Sequence, residues 1–436
     1  MTPAAIPPGA TAAWSLRCAE CGREHAALEV RYRCDCGGTL DVVHPFVAGA
    51  PPVTFAALDA RRGSFAPEDR SGVWRFRELV LPVAPGHIAT RPEGNTNLYA
   101  SPALGAWCGL ASALRLKHEG ENPTGSFKDR GMTVAATVAR MLGMTSVACA
   151  STGNTSASMA AYAAPLGMRA YVFIPDGHIA YGKLGQSLAY GARTIQVRGN
   201  FDTAMVLVEQ VCAERGIYLV NSINPFRIEG QKSIAFELLQ DLRWQVPDWI
   251  VMPGGNLGNS SAVCKGLMEL HALGLIDRLP RVAVVQAAGA NPLYTAWSTG
   301  APFAPVADPQ TLATAIRIGS PVSWRKCLRG LAATHGVVGQ ASDQEILDAK
   351  ARVDAAGIGA EPASCAAVAG VRTLVARGVI GPHERVCAIL TGHLLKDPEA
   401  VVGYHRGTLE GITPAHANPP VVCDATLEAV LRAVDA

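Results

Sequence analysis

Five short apolar runs, each leading into turn-forming residues, constrain the fold of this 436-residue chain more than any other feature. Ser146–Ala150 runs into Ser151-Thr152-Gly153-Asn154, and Tyr171–Ile174 into Pro175-Asp176-Gly177. Trp249–Met252 runs into Pro253-Gly254-Gly255, Val386–Leu390 into Thr391-Gly392, and Val282–Val285 stops shortly before Gly289-Ala290-Asn291-Pro292. A run without polar alternation reads as a strand buried on both faces, and helical patterns separate these runs. Together they predict an α/β fold of parallel sheets covered by helices. In such folds ligands bind beyond the carboxyl ends of the strands. Several of those ends are rich in Ser, Thr, Asn and Gly, which points to a site there.

Lys plus Arg total 38 and Asp plus Glu 36, a formal net charge of +2. That balance, with no basic run, argues against a nucleic-acid partner. No uncharged apolar stretch approaches the roughly 18 residues of a membrane span. Residues Met1–Leu16 lack a basic region followed by an apolar core, so the expectation is a cytoplasmic protein with no membrane partner. Of 12 cysteines, four fall between Cys18 and Cys36 and eight are scattered, a pattern of buried reduced thiols more than of a disulfide framework.

Three segments differ in character: a Cys- and Gly-rich start over about residues 1–45, an apolar body over about 46–410, and a tail over 411–436. The tail has one helical pattern, Thr426–Val434, after a Pro-rich link at Pro414–Pro420.

Three motifs carry chemistry. Gly254-Gly255-Asn256-Leu257-Gly258-Asn259 follows an apolar run and precedes a helical pattern with apolar Val263, Leu267, Leu270 and Leu273. Such a turn offers backbone N–H groups at the positive end of a helix dipole, which suits a phosphate. The spacing is neither the dinucleotide fingerprint nor a nucleotide P-loop, so a small phosphate is expected; packing glycines are the plainer alternative. Next, Glu121-Asn122-Pro123-Thr124-Gly125-Ser126-Phe127-Lys128-Asp129-Arg130-Gly131 places Lys128 at the start of an apolar helix. The helix dipole there should lower its pKa and make it a better nucleophile toward an aldehyde, although most lysines simply sit on the surface. Finally, Ser151-Thr152-Gly153-Asn154-Thr155-Ser156 offers hydroxyls and an amide at another helix start, where ordinary capping is also common.

Together these segments resemble the fold-type II pyridoxal-phosphate (PLP) enzymes, and within them the threonine synthase family, over roughly Trp74 to Pro398. The likeness includes Trp74-Arg75-Phe76-Arg77-Glu78-Leu79, Glu93-Gly94-Asn95-Thr96, Ile179-Ala180-Tyr181-Gly182-Lys183-Leu184 and Ala315–Trp324. It also includes Glu361-Pro362-Ala363-Ser364, and it is narrowed by Asn224-Pro225-Phe226-Arg227-Ile228-Glu229-Gly230-Gln231-Lys232 and by Thr391-Gly392-His393-Leu394-Leu395-Lys396-Asp397-Pro398.

The resemblance implies two parallel-sheet subdomains in three layers, the smaller spanning roughly 130–240 within the larger. It implies PLP held as a Schiff base on Lys128, with Gly255, Asn256, Leu257, Gly258 and Asn259 around the cofactor phosphate. Asn154 would bond the pyridine 3′-oxygen, and Thr391 would face the pyridine nitrogen. The implied reaction turns O-phospho-L-homoserine and water into L-threonine and phosphate; the alternatives are β-replacement on O-phosphoserine, as in cysteate synthases, or a Ser/Thr dehydratase. A phosphorylated amino-acid substrate needs a second anion pocket, for which Ser151, Thr155, Asn221, Ser222 and Arg227 are candidates and Lys183 a further one. Arg227 could equally pair with Glu229 or another carboxylate. Leu394 stands where the family usually has Gly, and is expected to add bulk near the pyridine. A homodimer is expected.

Cys18-Ala19-Glu20-Cys21-Gly22 and Cys34-Asp35-Cys36-Gly37-Gly38 look like a small zinc ribbon, a frequent element of threonine synthases. Cys18, Cys21, Cys34 and Cys36 would hold a structural zinc, although the second knuckle is one residue short of C-x-x-C and should strain the chelate.

Overall fold

The apolar runs form the centres of two separate sheets. A computed structural model describes residues 13–176, 181–198 and 201–435, with only the backbone described for 181–183 and 201–203. The strands among the described residues are β1 (Ser15–Cys18), β2 (Glu24–His25), β3 (Leu40–Val43), β4 (Leu98–Ser101), β5 (Leu114–His118), β6 (Ser146–Ala150), β7 (Arg169–Pro175), β8 (Arg193–Val197), β9 (Tyr218–Leu219), β10 (Trp249–Pro253), β11 (Arg281–Ala287), β12 (Val337–Ala341) and β13 (Val386–Leu390).

The larger sheet has the order β12-β11-β10-β13-β5-β4, parallel throughout except for the edge strand β4. The smaller sheet, β8-β7-β6-β9, is all parallel and falls in the chain between β5 and β10. Strands β6, β10 and β13 are buried at every residue, which explains their unbroken apolar character. Strand β5 is less legible because it contains Lys117 and His118, both buried. Lys117 is tolerated there because its amine donates to Glu237 and Asp241, each at 2.7 Å.

The lysine helix, Lys128–Met141, and the arginine helix, Pro225–Asp241, pack so closely that only glycines fit between them. A Cβ on Gly230 would lie 1.8 Å from the Arg130 carbonyl oxygen, and one on Gly131 would lie 2.9 Å from that of Arg227. Beside this contact, Arg130 donates to both oxygens of Glu119 at 2.6 and 2.7 Å and to Glu237 at 2.8 Å. Burial would raise the Glu237 carboxyl, but Arg130 and Lys117 hold it well below its ordinary range.

The amino-terminal segment is a three-stranded antiparallel sheet, β2-β1-β3. It docks on the body through Lys326, which donates to the Leu40 carbonyl at 2.5 Å, and through His44, 2.8 Å from Glu229. It also reaches the smaller sheet, where the Leu219 N–H donates to the Tyr32 hydroxyl at 2.7 Å. The tail helix is Leu427–Asp435, with the Thr426 hydroxyl accepting from the Ala429 N–H.

The glycine contact predicts that Gly230→Ala, which forces a methyl into a carbonyl oxygen, destabilises the protein by about 3 kcal/mol or more. Denaturant unfolding and soluble yield measure this; wild-type stability would refute the close-approach account.

Candidate active site

The carboxyl ends of β6 and β9 from one sheet and of β10 and β13 from the other border a single cleft of about 1970 Å³. All the residues proposed from the sequence for cofactor and substrate phosphate line it: Lys128, Asn154, Gly255 to Asn259 and Thr391, with Ser151, Thr155, Asn221, Ser222 and Arg227. The side chain of Lys183 lies outside the described residues.

Lys128 is the first residue of its helix, as its sequence context predicts. The preceding loop is fixed to the end of β13: the Phe127 N–H donates to the Thr391 carbonyl at 3.0 Å, and the His393 N–H to that of Gly125 at 2.9 Å. Among the described residues its amine makes no hydrogen bond or ion pair, and it lies over the Phe127 ring, 4.1 Å from the centroid. Burial pushes this amine down to about 7, and the Arg227 charge adds to the effect against an opposing pull from Glu361. The direction is the one expected from the helix start, but burial is the principal cause. Near pH 7 a large fraction of the amine is therefore neutral and nucleophilic.

In the Gly254–Asn259 turn, Leu257 adopts a left-handed conformation (φ 61°) immediately before the helix Gly258–Ala272. The turn has little room for side chains: a Cβ on Gly254 would lie 2.7 Å from Val284, and one on Gly255 3.2 Å from Ile316. Asn256 braces the loop, donating to the Ser222 hydroxyl at 2.5 Å and accepting from the Val322 N–H at 2.7 Å. Asn259 is 8% exposed, yet neither its amide oxygen nor its nitrogen has a partner among the described residues. Such an orphan costs about 1–3 kcal/mol. Its place at a helix N-terminus, beside free backbone N–H groups, fits a cradle for the phosphate of PLP.

Asn154 opens the helix Asn154–Ala163, and Thr391 follows β13. Both contact a residue that is not legible in the sequence as part of the site, Glu361, which accepts from Asn154 Nδ2 at 3.1 Å and from the Thr391 hydroxyl at 3.3 Å. Ser364 completes the group. Its Oγ accepts the Thr391 and Gly392 N–H groups at 2.8 and 2.9 Å and lies 3.0 Å from Thr391 Oγ1. The available signal was a Glu-Pro pair opening a long apolar helix, Pro362–Ala376, with a carboxylate that does not cap that helix.

Of the second-anion candidates, Arg227 has the most telling geometry. Its Nη1 donates to the Val220 carbonyl at 3.0 Å, while Nε and Nη2 are buried with no partner among the described residues. The alternative pairing with Glu229 is not made, because Glu229 is held by His44, Lys232 and Lys265. Burial lowers the Arg227 guanidinium to about 10. Asn221 is more committed: its amide accepts from the Ala150 N–H at 2.9 Å and donates to the Ala150 carbonyl at 3.0 Å, clasping the end of β6. Leu394 departs from expectation: it packs on Gly359 and is absent from the cleft lining, so it adds no bulk beside the ring site.

Cys18, Cys21, Cys34 and Cys36 converge, with all four sulfurs within 4.8 Å of one another. The Glu20 and Cys21 N–H groups each donate to Cys18 Sγ at 3.4 Å, as backbone does around a bound thiolate. The short C-x-C knuckle thus does not prevent four-thiolate convergence, and the set fits tetrahedral zinc.

A family model described as "Pyridoxal-phosphate dependent enzyme" matches residues 89–392. Threonine synthase of Methanosarcina acetivorans is 44% identical over 426 residues, covering 97% of this chain and 98% of that protein. Threonine synthase of Methanocaldococcus jannaschii is 45% identical over 388 residues, covering 88% and 94%. Among solved structures, maize serine racemase aligns with a TM-score of 0.61 at 18% identity, over 82% of this chain and 98% of that one. A fungal L-serine ammonia-lyase from Rhizomucor miehei gives 0.61 at 23% identity, over 71% and 98%. These two structures share the fold. The length and identity of the sequence matches go further: the chain belongs to the pyridoxal-phosphate dependent enzymes and, within them, to the threonine synthases.

Proposed function

We propose that this chain converts O-phospho-L-homoserine and water to L-threonine and inorganic phosphate. The observation that carries the reading is the buried guanidinium of Arg227 at the cleft wall, whose Nε and Nη2 have no partner among the described residues and whose charge is felt at Lys128. The cofactor brings its own phosphate to the Gly255–Asn259 cradle, so a second cationic site implies a second anion on the substrate.

PLP, when bound, supplies an aldehyde that captures the substrate amine and a ring that accepts the electron pair left by a broken C–H bond. The residues supply the rest. Lys128 anchors the cofactor covalently through its amine, and once displaced by the substrate it takes and returns protons at the substrate carbons from Nζ. Asn154 and Thr391 orient the ring from its oxygen and nitrogen sides. Arg227 offers Nε and Nη2 to the departing phosphate, with the Ser151, Thr155 and Ser222 hydroxyls nearby; a guanidinium matches phosphate in a bidentate way.

We infer that Cys18, Cys21, Cys34 and Cys36 hold a structural zinc, away from the chemistry. We read the compartment as cytoplasmic and the assembly as a homodimer. None of the 12 cysteines is in a disulfide, as a reducing compartment keeps them. Among the described residues, no helix is long and apolar enough to cross a membrane.

Offered O-phospho-L-homoserine and O-phospho-L-serine side by side, the holoenzyme should release phosphate and form threonine from the first. Arg227→Gln should lower kcat/KM for it by about a hundredfold or more, the loss of a charge-assisted pair. Turnover of O-phosphoserine alone would overturn the reaction assignment. Elemental analysis should find one zinc per chain; a metal-free, fully folded protein would refute the zinc site.

A further inference from the structure

The Glu361 carboxylate joins two side chains that come from opposite sheets. Asn154 follows β6 of the smaller sheet, Thr391 follows β13 of the larger, and Glu361 reaches both, at 3.1 and 3.3 Å. It is 2% exposed, and its backbone is pinned, the Glu361 N–H donating to the Gly392 carbonyl at 3.0 Å. The chain also leaves space for this carboxylate: a Cβ on Gly392 would lie 2.4–2.6 Å from Glu361 Cδ and both carboxylate oxygens. A glycine at 392 is therefore the condition for seating a carboxylate between Asn154 and Thr391. A buried carboxylate at a helix start, turned away from the job of capping that helix and into a cleft, is costly unless it serves that cleft.

The hydrogen-bond directions are determined. Ser364 Oγ spends its acceptor capacity on two backbone N–H groups, so its proton goes to Thr391 Oγ1, the shorter of its two acceptor contacts. Thr391 then has its own proton to give, and Glu361 Oε1 receives it. On the other side, Asn154 gives one Nδ2 proton to Glu361 and keeps the second for the cleft.

We propose that Glu361 is a positioning residue for the cofactor, acting through Asn154 and Thr391, and that it is the contact through which the smaller sheet sets the hydrogen bonds of the ring. The inference rests on the cofactor reading, and a yellow, borohydride-reducible wild-type protein establishes that reading independently. Besides Asn154 and Thr391, the charged groups whose fields act on or from Glu361 are Lys396, Asp397 and Lys128.

A double-mutant cycle on PLP affinity, titrated into apoenzyme, tests it. Glu361→Ala and Asn154→Ala should each weaken PLP binding by about tenfold. The double variant should lose clearly less than the product of the two single losses, because part of the effect of Glu361 runs through that amide and only the Thr391 part remains. Glu361→Asp, which keeps the charge and the helix start but withdraws the carboxylate by one methylene, should show a similar loss. Wild-type affinity in either Glu361 variant, or losses that multiply in the double variant, would overturn the proposal.

Discussion

The glycine contact between the lysine and arginine helices is the constraint on which the site depends. Gly131 and Gly230 let the two backbones approach to a distance no side chain permits, and the Arg130–Glu119–Glu237 pairing locks them there. Both helices begin at the cleft, one with Lys128 and the other, a turn in, with Arg227. The contact therefore fixes the amine relative to the guanidinium. The outcome is two basic side chains in one buried place, each held below its ordinary pKa.

This arrangement costs stability. A lysine whose folded pKa lies below its unfolded value binds its proton less tightly when folded. Its contribution to stability is therefore unfavourable at pH below about 7 and improves as pH rises from there toward 10.5. Asn259 and Arg227 add buried polar atoms without partners among the described residues. Groups this costly persist where a ligand later satisfies them, as the phosphates proposed for this cleft would. The charged core around Glu237 offsets this cost, since it ties Lys117 and Arg130 to a helix more than a hundred residues away.

Legibility in the sequence followed burial. Strands β6, β10 and β13 stand out because every residue is buried, and their ends announce the loops that build the cleft. Strand β5 does not, because Lys117 can be buried only thanks to partners 120 and 124 residues away. The turn before the helix Gly258–Ala272 was legible from its glycines, and Lys128 at a helix start from its motif. Glu361 was not: its role comes from meeting Asn154 and Thr391 across 207 and 30 residues, a juxtaposition no local pattern encodes. Leu394 shows the converse. Its difference from the usual glycine is plain in the sequence, yet packing on Gly359 turns it away from the cleft.

The most direct measurement of the central claim is the pH dependence of Lys128 modification in the apoenzyme by an amine-selective reagent, followed at that residue by mass spectrometry. The account predicts a midpoint near 7, rising when Arg227→Gln removes the neighbouring charge. A midpoint near the ordinary lysine value of 10.5, or one indifferent to Arg227, would contradict it.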